Sequence, residues 1–285
     1  MKKLRILLLT LFVIPAICNA QIDEDFFPNT GTKSIGLDLG YLLKGISNFG
    51  EDDIDNIVKS YQSAIFLRTF LSKNLALRTR LDIGINNSKT LLYVRDDNTF
   101  RNDPMAVNPV TIDTRKERNT YFELGVGLEY RHNVWRLQGY CGGELFGGAN
   151  IKKLHFEYGN AITAENKLPS TANFGNNFIS QLPNQSPTSN MVYNGYRILD
   201  YDKLKTITLG VAAFVGVDFF ICKNISIGPE FRLAASYNFV GESNAITEEW
   251  SSITNDVSVG EQPIYPKSSF FTLKPTGYLN LMFYF

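Results

Sequence analysis

The chain has little with which to do chemistry. It holds three cysteines and two histidines in 285 residues. After Cys18 only Cys141 and Cys222 remain, without metal-ligand spacing, so a disulfide framework or a structural metal site has no residues to build it. Charge of one sign is missing too: Lys+Arg and Asp+Glu stand at 28 each. That balance leaves no basic footprint for nucleic acid. Beyond Ala20 no apolar run approaches the roughly 20 residues of a spanning helix, which leaves strands as the route into a bilayer. No catalytic, cofactor-binding or metal-binding residue is assigned, and the chain is read as a non-enzyme without cofactor.

What is present begins with Met1-Lys2-Lys3-Leu4-Arg5, an apolar run from Ile6 to Ile17, and Ala20 before Gln21. A basic start, a short apolar stretch and a small residue at the cut form a secretory signal. The reading is a signal peptide over 1–20 and one barrel domain over 21–285. Lipidation at Cys18 is the weaker alternative, because Ile17 is bulky where that processing wants a small residue. Losing Lys2, Lys3 and Arg5 leaves a mild acidic excess.

Eight segments alternate with period two, the mark of half-buried strands. Ile35, Leu37 and Leu39 oppose Gly36, Asp38 and Gly40. Ile65 and Leu67 oppose Ala64 and Arg68. Leu75, Leu77, Leu81, Ile83 and Ile85 oppose Ala76, Arg78, Arg80, Asp82 and Gly84. Similar segments run from Phe122 to Arg131, Trp135 to Leu145, Thr206 to Phe219, Ile225 to Phe239 and about Phe271 to Phe285. In the last, Leu279, Leu281, Phe283 and Phe285 share one side, and a terminal apolar aromatic suits a strand closing in lipid better than a fraying end in water. Ser72-Lys73-Asn74, His132-Asn133 and Cys222-Lys223-Asn224 read as tight turns, while the links 46–60, 86–119, 148–203 and 240–268 are long. Short turns on one side and long loops on the other predict an all-β, closed antiparallel transmembrane β-barrel of eight strands, or ten if loop three adds a hairpin.

A soluble eight-stranded barrel shows the same period with its apolar side inward. Two features point the other way. The polar side is glycine and small residues punctuated by arginines and acids, as a narrow lumen requires. Aromatics also gather at both strand ends on the apolar side, as two membrane girdles: Tyr41, Tyr61, Phe122, Tyr237, Phe239 and Phe271 at one, Tyr130, Trp135, Phe219, Phe283 and Phe285 at the other.

The inward set comprises Asp38, Arg68, Arg78, Arg80, Asp82, Glu123, Glu129, Arg131, Arg136, Glu144, Asp218, Glu230, Arg232 and Lys274. Seven positive and seven negative groups nearly cancel. Charges enclosed together must pair, so the expected role is structural: a salt-bridged plug. The alternative is a narrow channel for ions or small solutes, against which balanced signs argue. A third reading, a lipid-modifying enzyme at the rim, rests on His155, with Glu157 on its face and no identifiable serine partner. The acidic run Glu51-Asp52-Asp53-Ile54-Asp55 lacks the spacing of a calcium loop. Leu91-Leu92-Tyr93-Val94 and Met191-Val192-Tyr193 read either as strand extensions above the membrane or as partner contacts.

Signal, eight amphipathic strands, short turns, long loops and terminal Phe285 together resemble the small outer-membrane barrels of the OmpA/OmpX type; the Asn-rich loops and Gln21 resemble Bacteroidetes outer-membrane barrel proteins. The resemblance implies an integral protein of a Gram-negative outer membrane with loops at the cell surface. It implies outer-membrane lipid and lipopolysaccharide as surroundings, and the barrel-assembly machinery as partner of the closing strand. An extracellular protein or glycan ligand for the loops is the further expectation, and no nucleic acid.

Overall fold

A computed structural model describes residues 27–39, 62–174 and 196–285. Ten strands lie in one antiparallel sheet: β1 (Lys33–Asp38), β2 (Gln62–Ser72), β3 (Leu75–Arg95), β4 (Val110–Val134), β5 (Leu137–Glu157), β6 (Tyr196–Cys222), β7 (Ile225–Val240), β8 (Ser243–Ser251), β9 (Asp256–Tyr265) and β10 (Ser268–Tyr284). One short helix, α1 (Asp97–Asn102), stands at the top of β3. Each of β1 to β7 pairs with its neighbour in sequence, β7 pairs with β10, and β10 returns to β1. Eight strands therefore close a ring. The seam is sealed to the last residue, where Lys33 and Phe285 exchange backbone hydrogen bonds of 3.0 and 2.9 Å.

The two further strands stand outside the ring. They come from loop four, whereas the sequence reading allowed for a hairpin in loop three. β8 carries on from β7 beyond Gly241, and β9 leads through Pro266 and Lys267 into β10. Above the ring β8 pairs with the first residues of β6, Tyr196–Tyr201. Leu154, Ile198, Tyr201 and Ala245 form a small apolar cluster there, which gives the hairpin a buried face of its own.

Through most of the band burial alternates along the strands, and the sides are inverted relative to a soluble barrel. Outward residues such as Leu124, Val126, Leu209 and Phe231 are 42–56% exposed, while Arg78 and Arg80 on the alternate positions are fully buried. On β3 the outward apolar band runs from Leu75 to Ile85. Ten residue steps at about 3.4 Å, tilted about 40°, cover roughly 26 Å, the height of a lipid-facing band. Tyr130, Trp135, Phe283 and Phe285 ring its lower edge; Phe122, Tyr237, Phe239 and Phe271 ring the upper. Tyr41 and Tyr61 lie outside the described residues.

Three local expectations change. The turn after β4 is Trp135-Arg136, with Trp135 at φ +54°, so the strand continues through His132 and Asn133. Link 86–119 is mostly strand, since β3 and β4 run 21 and 25 residues and pair up to Arg95 and Val110. Leu91-Leu92-Tyr93-Val94 is thus a strand extension, while the signal segment, the acidic run at 51–55 and Met191-Val192-Tyr193 fall outside the described residues. Lys274, read as interior, is exposed. It alternates in step with the inward residues, but its cross-strand neighbour is Ala234 and no acid pairs with it among the described residues.

Candidate functional site

The lumen is filled from the bottom up. Phe66, Phe70, Ala76, Phe220, Met282 and Tyr284 form an apolar floor at the short-turn end. Phe27, ahead of β1, closes against it edge-to-face on Phe220 at 5.3 Å.

Above the floor lie two arginines that share two acids. Arg131 donates to Glu129 at 2.7 Å and to Asp218 at 2.8 Å, and also to Gln138. Arg68 donates to the same Asp218 oxygen at 2.9 Å and lies 3.2 Å from Glu129. Both guanidiniums stack on Tyr140, at 4.7 and 4.8 Å from its ring centre. In the next layer Arg78 grips Glu230 with two parallel bonds of 2.8 and 2.6 Å, the fork geometry that makes arginine–carboxylate pairs strong. Glu230 also accepts from the Tyr140 hydroxyl at 2.9 Å and from the Asn280 amide at 3.1 Å. Phe214 lies 4.1 Å from the Arg78 guanidinium. Higher still, Arg80 and Arg232 share Glu144 at 3.0 and 2.7 Å, and Arg80 also pairs with Glu123 and Asp82.

Apart from Lys274, every member of the inward set is buried. Asp38 sits near the seam and accepts from the Leu279 amide at 3.1 Å. Arg136 is buried at the short-turn end. Leu279, Leu281, Phe283 and Phe285 alternate with buried Asn280, Met282 and Tyr284, and so face outward. The sequence reading missed the aromatics that complete the filling, Phe66, Phe70, Phe146, Phe214 and Phe220.

A second organised region lies above the membrane band, and nothing in the sequence reading pointed to it. Asp96 caps α1 by accepting from the amides of Asn98 and Thr99, each at 3.0 Å. Next to it, buried Asp97 accepts from the Ser170 amide and hydroxyl at 2.6 and 2.7 Å, from Asn166 at 3.1 Å and from Arg95 at 3.0 Å. Asp113 on β4 accepts from the amides of Gly159 and Ala172, both at 2.8 Å. Two aspartates therefore pin residues 158–174 onto the tips of β3 and β4.

Burial alone would raise the Asp97 carboxyl, but the hydrogen bonds from Ser170, Asn166 and Arg95 outweigh it and hold it at about 2. A carboxyl depressed below its ordinary value near 3.9 adds stability that is complete above that value and lost as pH falls toward the lowered one. Relative to its intrinsic rate at each pH, amide exchange at Ser170 should therefore stay slow down to about pH 4 and accelerate toward pH 2. Asp97→Asn should accelerate it at neutral pH, and equal protection in that variant would remove Asp97 from the docking.

At the rim, His155 Nδ1 lies 2.7 Å from Asp200 and Nε2 3.5 Å from Glu157. The groove beside it includes Ser88, but Ser88 alternates to the opposite side of the sheet from Lys89, the residue in step with His155. Among the described residues the imidazole thus has acid partners and no hydroxyl nucleophile on its face. Among the described residues no group of three or more histidines, cysteines and acids gathers as for a metal ion.

A closed ring of eight strands with a greasy exterior, aromatic girdles and a charged, filled interior defines a transmembrane β-barrel of the outer-membrane kind. No family model matches the chain, and no curated protein does. Among solved structures, a major outer membrane protein from Thermus thermophilus is similar at 11% identity and TM-score 0.37, over 90% of this chain and 100% of that one. OprG from Pseudomonas aeruginosa is similar at 10% identity and TM-score 0.28, over 91% and 98%. CarO from Acinetobacter baumannii follows at 11% and 0.23, over 90% and 98%. The class rests on the pairing and faces described above.

Proposed function

We propose that the protein is a plugged, non-enzymatic outer-membrane barrel whose task is to present the structure above its outer rim at the cell surface. The observation that carries this reading is the complete burial of Arg68, Arg78, Arg80 and Arg131 across the lumen. Eight strands leave an interior that side chains just fill, and here each of these guanidiniums lies against two or more carboxylates. An ion would have to break several charge-assisted bonds to pass. By contrast, the region above the band is built to persist: long strand extensions, α1, the docked segment 158–174 and the β8–β9 hairpin. Export would use the segment at 1–20 as a cleaved signal, and the closing strand would engage the assembly machinery. Surface binding of a protein or glycan, or support of envelope integrity, are the tasks such a platform serves.

The wild-type barrel, reconstituted in planar bilayers, is expected to show no steady conductance. Large, reproducible open-channel steps would turn the reading to the porin alternative.

A further inference from the structure

The outward face of β3, β4 and β5 changes character abruptly at the top of the apolar band. The last band row is Ile85, Thr120 and Ile151, which lie side by side in register. The next outward row is Asn87, Arg118 and Lys153, and the one above it is Lys89, Lys116 and His155. Two pairs of like charges therefore face each other directly across strands, Lys89 with Lys116 and Arg118 with Lys153. Like charges placed so destabilise a sheet. The acids nearby relieve this only in part, through Glu157, whose charge reaches Lys89 as well as Lys116. Glu157 pairs with Lys116, Asp200 with His155, and Glu117 with Lys152 at 2.8 Å. Among the described residues Lys89, Arg118 and Lys153 make no salt bridge. The four cations, His155 and Asp200 border one open groove of about 600 Å³.

The geometry points to a binding site for the phosphorylated headgroup of an outer-leaflet glycolipid, of the lipid A type. The charge calls for an anion with several oxygens, which can bridge cations that repel each other. Height selects the source. One and two row spacings above the band, at about 7 Å each along a strand tilted about 40°, place Arg118 and Lys153 roughly 5 Å above the hydrocarbon edge, within the headgroup layer, and Lys89 and Lys116 roughly 10 Å above it, on that layer's outer side. The lipid's acyl chains would lie on Ile83, Ile85, Phe122 and Ile151 directly below. This inference rests on the membrane reading of the barrel and adds a specific lipid contact to it.

The test is native mass spectrometry of the full chain in detergent, with bisphosphoryl lipid A and its dephosphorylated form as probes. The wild type should retain the phosphorylated probe over the other. A Lys89→Gln, Arg118→Gln, Lys153→Gln variant should lose about a hundredfold in affinity for it, whereas Lys223→Gln in a short turn at the opposite end should lose none. Without lipid the triple variant should melt no lower than the wild type, since repulsion has been removed. Equal affinity for the two probes, equal retention by the triple variant, or displacement of the probe by millimolar inorganic phosphate would each overturn the inference. A wild type that fails to insert into vesicles defeats the membrane reading beneath it; one that inserts and ignores the phosphates defeats this inference alone.

Discussion

Arg78→Met should lower the stability of the folded barrel by about 3–5 kcal/mol, the usual cost of removing one partner from a buried ion pair. The size of the effect comes from what is left behind. Glu230 loses both arms of its fork, and Glu144 and Glu129, at 3.8 and 4.0 Å from the same guanidinium, lose a neighbouring cation. The site is buried, so the carboxylate must either stay poorly compensated or take up a proton. Urea unfolding from vesicles, followed by tryptophan fluorescence, measures the loss. The double variant Arg78→Met, Glu230→Gln should recover most of it, because it removes the orphaned charge. A single variant within about 1 kcal/mol of the wild type would mean that the lumen tolerates an open charge, and the plug would have to be given up.

Much of this architecture was readable because the physics of a membrane barrel writes itself in period two. Leu75, Leu77, Leu81, Ile83 and Ile85 had to share a face, and Arg78, Arg80 and Asp82 the other, whatever their partners. The pairing among charges was not readable. Arg78 meets Glu230 across 152 positions of sequence, and only strand order and shear decide which acid stands across the lumen. Aromatic filling was hidden for a related reason. Phe66 and Phe70 lie on the same side of β2 as Arg68, so their hydrophobicity blurred the alternation that marked the other strands. The docked aspartates left no trace at all, since Asp97 binds Ser170 and Asn166 only after two strand pairs have formed. Lys274 misled because parity says which way a side chain points and says nothing of whether an acid waits there. The rim patch went unread: Lys116, Arg118 and Lys153 stand within short basic runs and Lys89 stands apart from them, and their face-to-face repulsion exists only in the register.

Register also explains why small residues are placed where they are, and this leads to the second large effect. Along β5 and β6 the inward pairs are Tyr140 with Gly216, Gly142 with Phe214, and Phe146 with Gly210: each ring lies over a glycine on the strand beside it. A β-carbon on Gly216 would fall 2.4 Å from both Cζ and the hydroxyl oxygen of Tyr140. Gly216→Leu must therefore displace that ring. The ring cannot move alone, because it is clamped between Arg68 and Arg131 and its hydroxyl donates to Glu230. Overpacking costs typically 1–3 kcal/mol, and loss of the hydrogen bond to a charged group adds to it, so a drop of about 3 kcal/mol or more is expected. Gly143→Leu, one strand over on the exposed face, where the added carbon meets nothing nearer than 3.7 Å, should cost little. The exchanged pair Tyr140→Gly, Gly216→Tyr conserves volume and should regain the packing part of the loss but not the bond to Glu230. If Gly216→Leu and Gly143→Leu unfold alike, the lumen is loosely filled, and ring-over-glycine packing does not hold the interior together.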